Sequence, residues 1–292
     1  MRRTLPIQLL AALLVCVTGC VSATRLSLGP ATENTSSVRP KGYLLIVGGG
    51  GTTSNMYDKA ILLGGGKDAK VVIFPQASEL PDTGKSSATV WLEHEAATAE
   101  VADVKDEKHA LDLVESATII WFPGGVQTNL MKALGDPLKL AIKKRYQDGA
   151  VVGGTSAGAA VMSSTMITGE YVGESGEDGG LGAVIANKVK TESGLGLIDW
   201  AIVDQHFFKR RRFNRLLSCV LDHHDKLIGI GIDERTAILV HDTSFEVIGE
   251  SGVLVIDARK VDEVKNTEGL PQAARGLKVS LLNSGMTFDI TD

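Results

Sequence analysis

Cysteine, positive charge and long apolar runs are all scarce in this chain. Of three cysteines in 292 residues, Cys16 and Cys20 stand near the N-terminus and only Cys219 lies in the body of the chain. A single thiol there excludes an internal disulfide framework, so the fold depends on its apolar core. Cys219, inside LLSCVL, reads as a small buried hydrophobe. Lysine and arginine number 30 against 35 acids, a formal charge of −5. That balance argues against general binding of polyanions, and nucleic acid is not an expected partner. The apolar run Leu9 to Val17 has nine residues, too few to cross a bilayer as a finished helix. No Gly-Lys-Ser/Thr closes the glycine run at 48–51, and its spacing is not the dinucleotide fingerprint. The expected role of that run is a tight turn that brings backbone close to a site. His223 and His224 are adjacent at a predicted helix end and point in different directions, so no metal pair is expected.

What is present begins with an export signal. Arg2 and Arg3 precede the apolar run, which ends in Val17-Thr18-Gly19-Cys20. VTGC resembles the bacterial lipobox, so residues 1–19 are expected to be removed and Cys20 to become a lipidated first residue; the alternative is a plain secretory signal. Either way the product is expected outside the cytoplasm, on the periplasmic or cell-surface side, with the lipid as its only membrane contact. Removal of 1–19 takes two arginines and no acid, moving the charge from −5 to −7. Residues 20–40 are rich in Ser, Thr and Pro without periodicity and read as a tether. Residues 41–292 then form one α/β domain large enough for a substantial core. Its oligomeric state is left open, and a homodimer is compatible with it.

Along this domain, short continuous apolar runs alternate with amphipathic stretches, the pattern of strands buried on both faces and joined by helices. Strands are expected at 42–47, 70–74, 118–122, 150–154, 201–204 and 228–232, and helices around 54–63, 89–100, 108–115, 126–134, 137–148 and 213–223. This predicts a three-layer α/β/α arrangement with a mostly parallel sheet. From about 236, closely spaced strands with turn residues predict antiparallel pairs at one sheet edge.

Ligands of such sheets bind beyond the carboxyl ends of strands. One strand end there is AVVGGTSAGAAVM, in which Gly154-Thr155-Ser156-Ala157-Gly158 fits G-x-S-x-G, the strand-to-helix elbow that projects a nucleophilic serine. The backbone N–H of Ala157 and that of Gly125, in the turn FPGGVQ, are candidate oxyanion donors. A serine needs a base and an orienting acid. Among six histidines, His206 directly follows the strand AIVD. Asp233 and Glu234 close the strand IGIGI, in position to reach it from a neighbouring strand. The chain order is Ser, His, acid, which differs from that of α/β-hydrolases.

GGTSAGA, DQHF..R.R..RL and GIDE.TA together resemble the cyanophycinases, serine peptidases grouped with aspartyl dipeptidases. FPQAS (74–78), FPGGVQ (122–127), GLGLI (194–198) and LKVSLLNSGMTFDI (277–290) extend the resemblance to about residues 42–290. The resemblance implies a flavodoxin-like, class I glutamine amidotransferase-like fold. It also implies a catalytic set of Ser156, His206 and Glu234, with Asp233 as the runner-up acid, and no metal or organic cofactor. The implied substrate is cyanophycin, a poly-aspartate backbone with arginine on each β-carboxyl, cut to β-Asp-Arg dipeptides.

That resemblance gives meaning to VDQHFFKRRRFNR at 203–215, a basic run on an acidic protein. Gln127, Asp204, Gln205, Arg210, Arg212 and Arg215 match positions of the family's substrate pocket. Guanidinium groups suit a terminal carboxylate, and Asp204 is a candidate for the substrate's own arginine. Lys209 and Arg211 match nothing in the family and read as solvated residues. Pro123, Val126, Phe208, Lys209 and Asn214 depart from the family's wording, all in the substrate wall. The alternatives are a peptidase for other aspartyl or β-aspartyl peptides and an inactive lipoprotein that binds acidic peptides.

Overall fold

A computed structural model describes residues 40–173 and 181–291. The expected signal, Cys20 and all of the tether except Pro40 lie outside the described residues. Among those described, no helix is long and apolar enough to cross a membrane.

The chain first alternates strand and helix: β1 (Tyr43–Val47), α1 (Ser54–Leu63), β2 (Lys70–Ile73), α2 (Thr83–Glu93), β3 (Thr98–Val101), α3 (Glu107–Ser116), β4 (Ile119–Phe122), α4 (Gln127–Ala133), α5 (Asp136–Asp148), β5 (Val151–Thr155) and α6 (Ala157–Ala160). A hairpin-like pair follows, β6 (Thr165–Tyr171) and β7 (Val189–Ser193), then β8 (Ala201–Gln205), α7 (Phe213–Asp222) and β9 (Ile228–Ile232). The tail is all strand: β10 (Thr236–His241), β11 (Ser244–Gly249), β12 (Gly252–Asp257), β13 (Glu263–Lys265), β14 (Ala273–Arg275), β15 (Lys278–Asn283) and β16 (Thr287–Asp289).

The main sheet has eight strands in the order β16-β11-β10-β1-β5-β4-β2-β3. From β1 to β3 every pairing is parallel, whereas β10, β11 and β16 add antiparallel strands on the other side of β1. Alternate side chains of one strand serve opposite covers. Leu45 and Val47 pack with Met56 and Ala60 of α1 and Trp91 of α2. Leu44 and Ile46 belong instead to the larger core that α3, α4, α5 and α6 share.

The α/β architecture, the parallel main sheet and the antiparallel C-terminal strands agree with the sequence reading. Three details differ. The runs at 201–204 and 228–232 do not join the main sheet. They form a second sheet, in the order β15-β12-β9-β8, in which only β8 and β9 are parallel. The reason is written in IGIGI: Ile228, Ile230 and Ile232 enter the larger core. Between them, Gly229 faces Val220 and Leu216 of α7, and Gly231 faces the ring of Phe207, with no room for a side chain at either. The helix expected over 89–100 ends at Glu93, and 98–101 is the edge strand β3. An edge strand with the largely exposed sequence TAEV carries no buried apolar run to mark it. β6 and β7 were not expected at all, for similar reasons of mixed composition.

Candidate active site

Three segments meet at the carboxyl end of β1. The consecutive carbonyls of Val47, Gly48 and Gly49 accept hydrogen bonds from the backbone N–H groups of Ser156 (3.0 Å), His206 (2.7 Å) and Arg235 (2.8 Å). One turn thus fixes the ends of β5 and β8 and the residue after Glu234. The glycines allow this approach. A β-carbon at Gly49 would lie 2.3 Å from the His206 ring, and one at Gly50 would lie 2.5 Å from Cβ of Glu234. The sequence reading foresaw a close approach at this turn but not what approaches it.

Ser156 occupies the elbow between β5 and α6 with φ 54° and ψ −110°, a strained setting for a residue with a side chain. The flanking glycines permit the bend. A β-carbon at Gly154 would strike the backbone of Gly158 at 2.6 Å, and one at Gly158 would stand 2.0 Å from the carbonyl oxygen of Phe122. Ser156 Oγ is 2.9 Å from His206 Nε2, and His206 Nδ1 is 2.7 Å from Glu234 Oε1. A carboxylate only accepts, so the proton sits on Nδ1 and leaves Nε2 to accept from the serine hydroxyl. Parallel pairing of β8 with β9 sets Gln205 beside Ile232, which brings the residues beyond both strands together. Asp233 turns elsewhere, accepting from the Lys209 backbone N–H at 2.9 Å and the Ser251 hydroxyl at 2.8 Å.

Burial pushes the His206 pKa below its usual value. Its bond to Glu234 opposes that shift, while the nearby cations Arg210 and Arg212 add to it. The ring is therefore held ready to take a proton. Beside the serine, Gly124 would place a β-carbon 3.4 Å from Ser156 Cβ, while Gly125, at φ 143°, packs against the Ala77 carbonyl. The Gly125 N–H belongs to the peptide joining it to Gly124. Among the described residues, the N–H groups of Gly124, Gly125 and Ala157 donate to no backbone carbonyl.

The basic run divides sharply. Arg215 and Asp204 are 3% and 1% exposed and form a two-pronged ion pair. Burial works against the Arg215 cation, but Asp204 outweighs it and the pKa is raised. Neither Asp204 nor Arg215 is therefore open to a ligand, contrary to the expectation for both, because α7 folds back on β8 and the two charges neutralise each other. Arg212 donates through Nη1 to the backbone oxygen and to Oε1 of Gln205, both at 2.7 Å. Burial, followed by the neighbouring Arg215, pushes its pKa down to about 10. The buried Gln127 donates to the Ile167 carbonyl at 2.8 Å, tying α4 to β6. Arg210 is exposed, as are Lys209 and Arg211.

A cleft of about 570 Å³ opens on Ser156 and His206, walled by the glycine turn, Gly124 and the segment from Leu80 to Val90. That last wall was not singled out in the sequence, although it follows the strand KVVIF and so lies where such ligand walls occur. Comparison with known proteins gives this geometry a lineage. The family model "Peptidase family S51" matches residues 44–248, which contain the elbow, the histidine and the acid. The chain belongs to peptidase family S51. This S51 chain is 37% identical over 259 residues to a cyanophycinase of Geminocystis herdmanii, covering 82% of the chain and 91% of the relative. It is 32% identical over 258 residues to a cyanophycinase of Trichormus variabilis, covering 82% and 84%. Its fold is similar to a peptidase from an acI-B1 Actinobacterium, with TM-score 0.61 and 22% identity over 86% of this chain and 98% of the other. A putative peptidase E protein from Listeria monocytogenes shares the fold at TM-score 0.50 and 14% identity, covering 72% and 99%. The S51 chain is a cyanophycinase-like serine peptidase.

Proposed function

We propose that this peptidase is a serine exopeptidase that releases β-Asp-Arg dipeptides from cyanophycin outside the cytoplasm. The observation that carries the reading is the unbroken row Ser156–His206–Glu234 at the mouth of a cleft. Ser156 Oγ attacks an aspartyl carbonyl as Nε2 of His206 takes its proton, and Glu234 stabilises the imidazolium. The N–H groups of Ala157 and Gly125 receive the developing oxyanion. His206 returns the proton to the leaving amine, and water repeats the sequence on the acyl-enzyme. These groups supply nucleophile, base and orienting acid, so the reaction runs without a metal or organic cofactor.

Arg210 is exposed beside His206 and is the group best placed to grip a substrate carboxylate. Arg212 retains donors beyond those given to Gln205, while Asp204, Arg215 and Gln127 hold the wall that carries them. Export through the Cys20 lipid anchor places the reaction beyond the cytoplasmic membrane. Incubating the purified protein with cyanophycin is expected to yield β-Asp-Arg by mass spectrometry. A well-folded sample that yields none overturns the proposal.

A further inference from the structure

An enzyme that removes an arginine-bearing unit needs a carboxylate to receive the guanidinium, and the acids around the nucleophile are nearly all committed. Glu234 holds His206, Asp204 is neutralised by Arg215, and Asp233 accepts from Lys209 and Ser251. Asp82 is different. It belongs to the cleft wall between β2 and α2, and among the described residues of that lining it is the one carboxylate, with no lysine or arginine beside it.

Its position makes this freedom unusual. Asp82 precedes the first residue of α2, where an aspartate ordinarily caps the helix by accepting from a backbone N–H. Here its φ of −89° and ψ of 0° are not the extended conformation that capping uses, and its side chain caps nothing. It is exposed, and no described side chain bonds or pairs with it. Ser86, in the first turns of α2, also lines the cleft and offers a hydroxyl to the same space. Tyr57, half-buried, contributes aromatic surface to the same cleft, and a flat guanidinium stacks on such surface better than an ammonium does. The cations Arg210 and Arg212, which depress the His206 pKa, lie outside this lining. Arg235 approaches the lining at Gly51 but is paired with Glu250, so Asp82 meets no unpaired cation among the described residues of the cleft.

We infer that Asp82 is the specificity residue that receives a guanidinium side chain of the substrate, aided by Ser86. This rests on the proposed peptidase function and assigns the cationic part of its substrate to a residue outside the 203–215 run. Asp82→Asn keeps the shape and removes the charge. The probes are a short aspartate oligomer with arginine on its β-carboxyls and the same oligomer with citrulline, the neutral isostere.

Wild-type protein is expected to favour the arginine oligomer in kcat/KM by about 10- to 100-fold, the range for a charge-assisted hydrogen bond. Asp82→Asn is expected to reduce that preference to about threefold or less. Calorimetric binding is measured in parallel in Ser156→Ala and Ser156→Ala/Asp82→Asn, which does not depend on turnover. An arginine preference in binding that Asp82→Asn abolishes supports the inference even if wild-type protein hydrolyses neither oligomer, in which case the peptidase reading alone falls. Turnover or binding in which Asp82→Asn retains the full preference overturns the inference and leaves the peptidase reading standing. Absence of any arginine preference in the Ser156→Ala protein overturns it as well.

Discussion

At His206, two opposing influences meet in one ring: burial and two arginines disfavour the imidazolium, and Glu234 favours it. The proposed mechanism needs His206 as a neutral base, so kcat/KM is expected to fall as pH drops through its pKa, with the midpoint of that acidic limb below the usual histidine value near 6.5. Arg210→Gln removes a cation that opposes protonation, so the midpoint should move upward. A pH profile of the variant that coincides with wild type, or moves downward, contradicts this account of the ring. The residues of the row were unequally legible. Ser156 could be found from the G-x-S-x-G pattern at a strand end, and His206 because, among the six histidines, it follows the strand AIVD. Glu234 could not be separated from Asp233 by spacing, since both close β9; the choice depends on Asp233 being consumed by Lys209 and Ser251. Asp204 illustrates the opposite failure, because a sequence shows a charge but not the Arg215 that cancels it. Breaking that buried pair with Asp204→Asn strands a cation and is expected to cost about 3–5 kcal/mol, read as a lower urea midpoint. A stability unchanged from wild type would show that the pair does not carry this load.

Turns rather than helices or strands set the geometry of the site. The elbow requires both of its glycines, and Gly158→Ala drives a β-carbon into the Phe122 carbonyl, which belongs to β4 and cannot swing aside. Overpacking of this kind costs about 1–3 kcal/mol or more, and because the strain falls on Ser156, activity should fall further than stability. Comparing the thermal midpoint with kcat for this variant tests the claim; full activity would contradict it. At the end of β1, three successive carbonyls align three segments from distant parts of the chain. The sequence displayed only a run of glycines there. Its partners were not readable, since they arrive through long-range pairing. α7 was fully legible, from the apolar spacing of FNRLLSCVLD, whereas β3 and β7 lack buried runs, and in β6 the buried Met166 and Ile167 are flanked by threonines and followed by Gly169, too short an apolar run to mark a strand.

For the whole molecule, the division into two sheets explains how the row is assembled. Ser156 is delivered by the main sheet, while His206 and Glu234 are delivered by adjacent strands of the second, and the β1 turn clamps the two together. The alternation of buried strands and helices made the α/β class readable, but apolar runs alone do not say which sheet a strand joins. IGIGI held that information in its glycines, which admit α7 and Phe207 on one face only. At this scale the proposal also includes export: the mature N-terminus in the native host is expected to be a lipid-modified Cys20, and mass spectrometry that finds another first residue removes the anchor. The central claim is that Ser156 hydrolyses cyanophycin, and it is tested most directly by comparing dipeptide release by wild-type protein and Ser156→Ala. Wild type is expected to release β-Asp-Arg, with the folded variant slower by at least about a thousandfold. Equal release by both, or none by well-folded wild type, would contradict it.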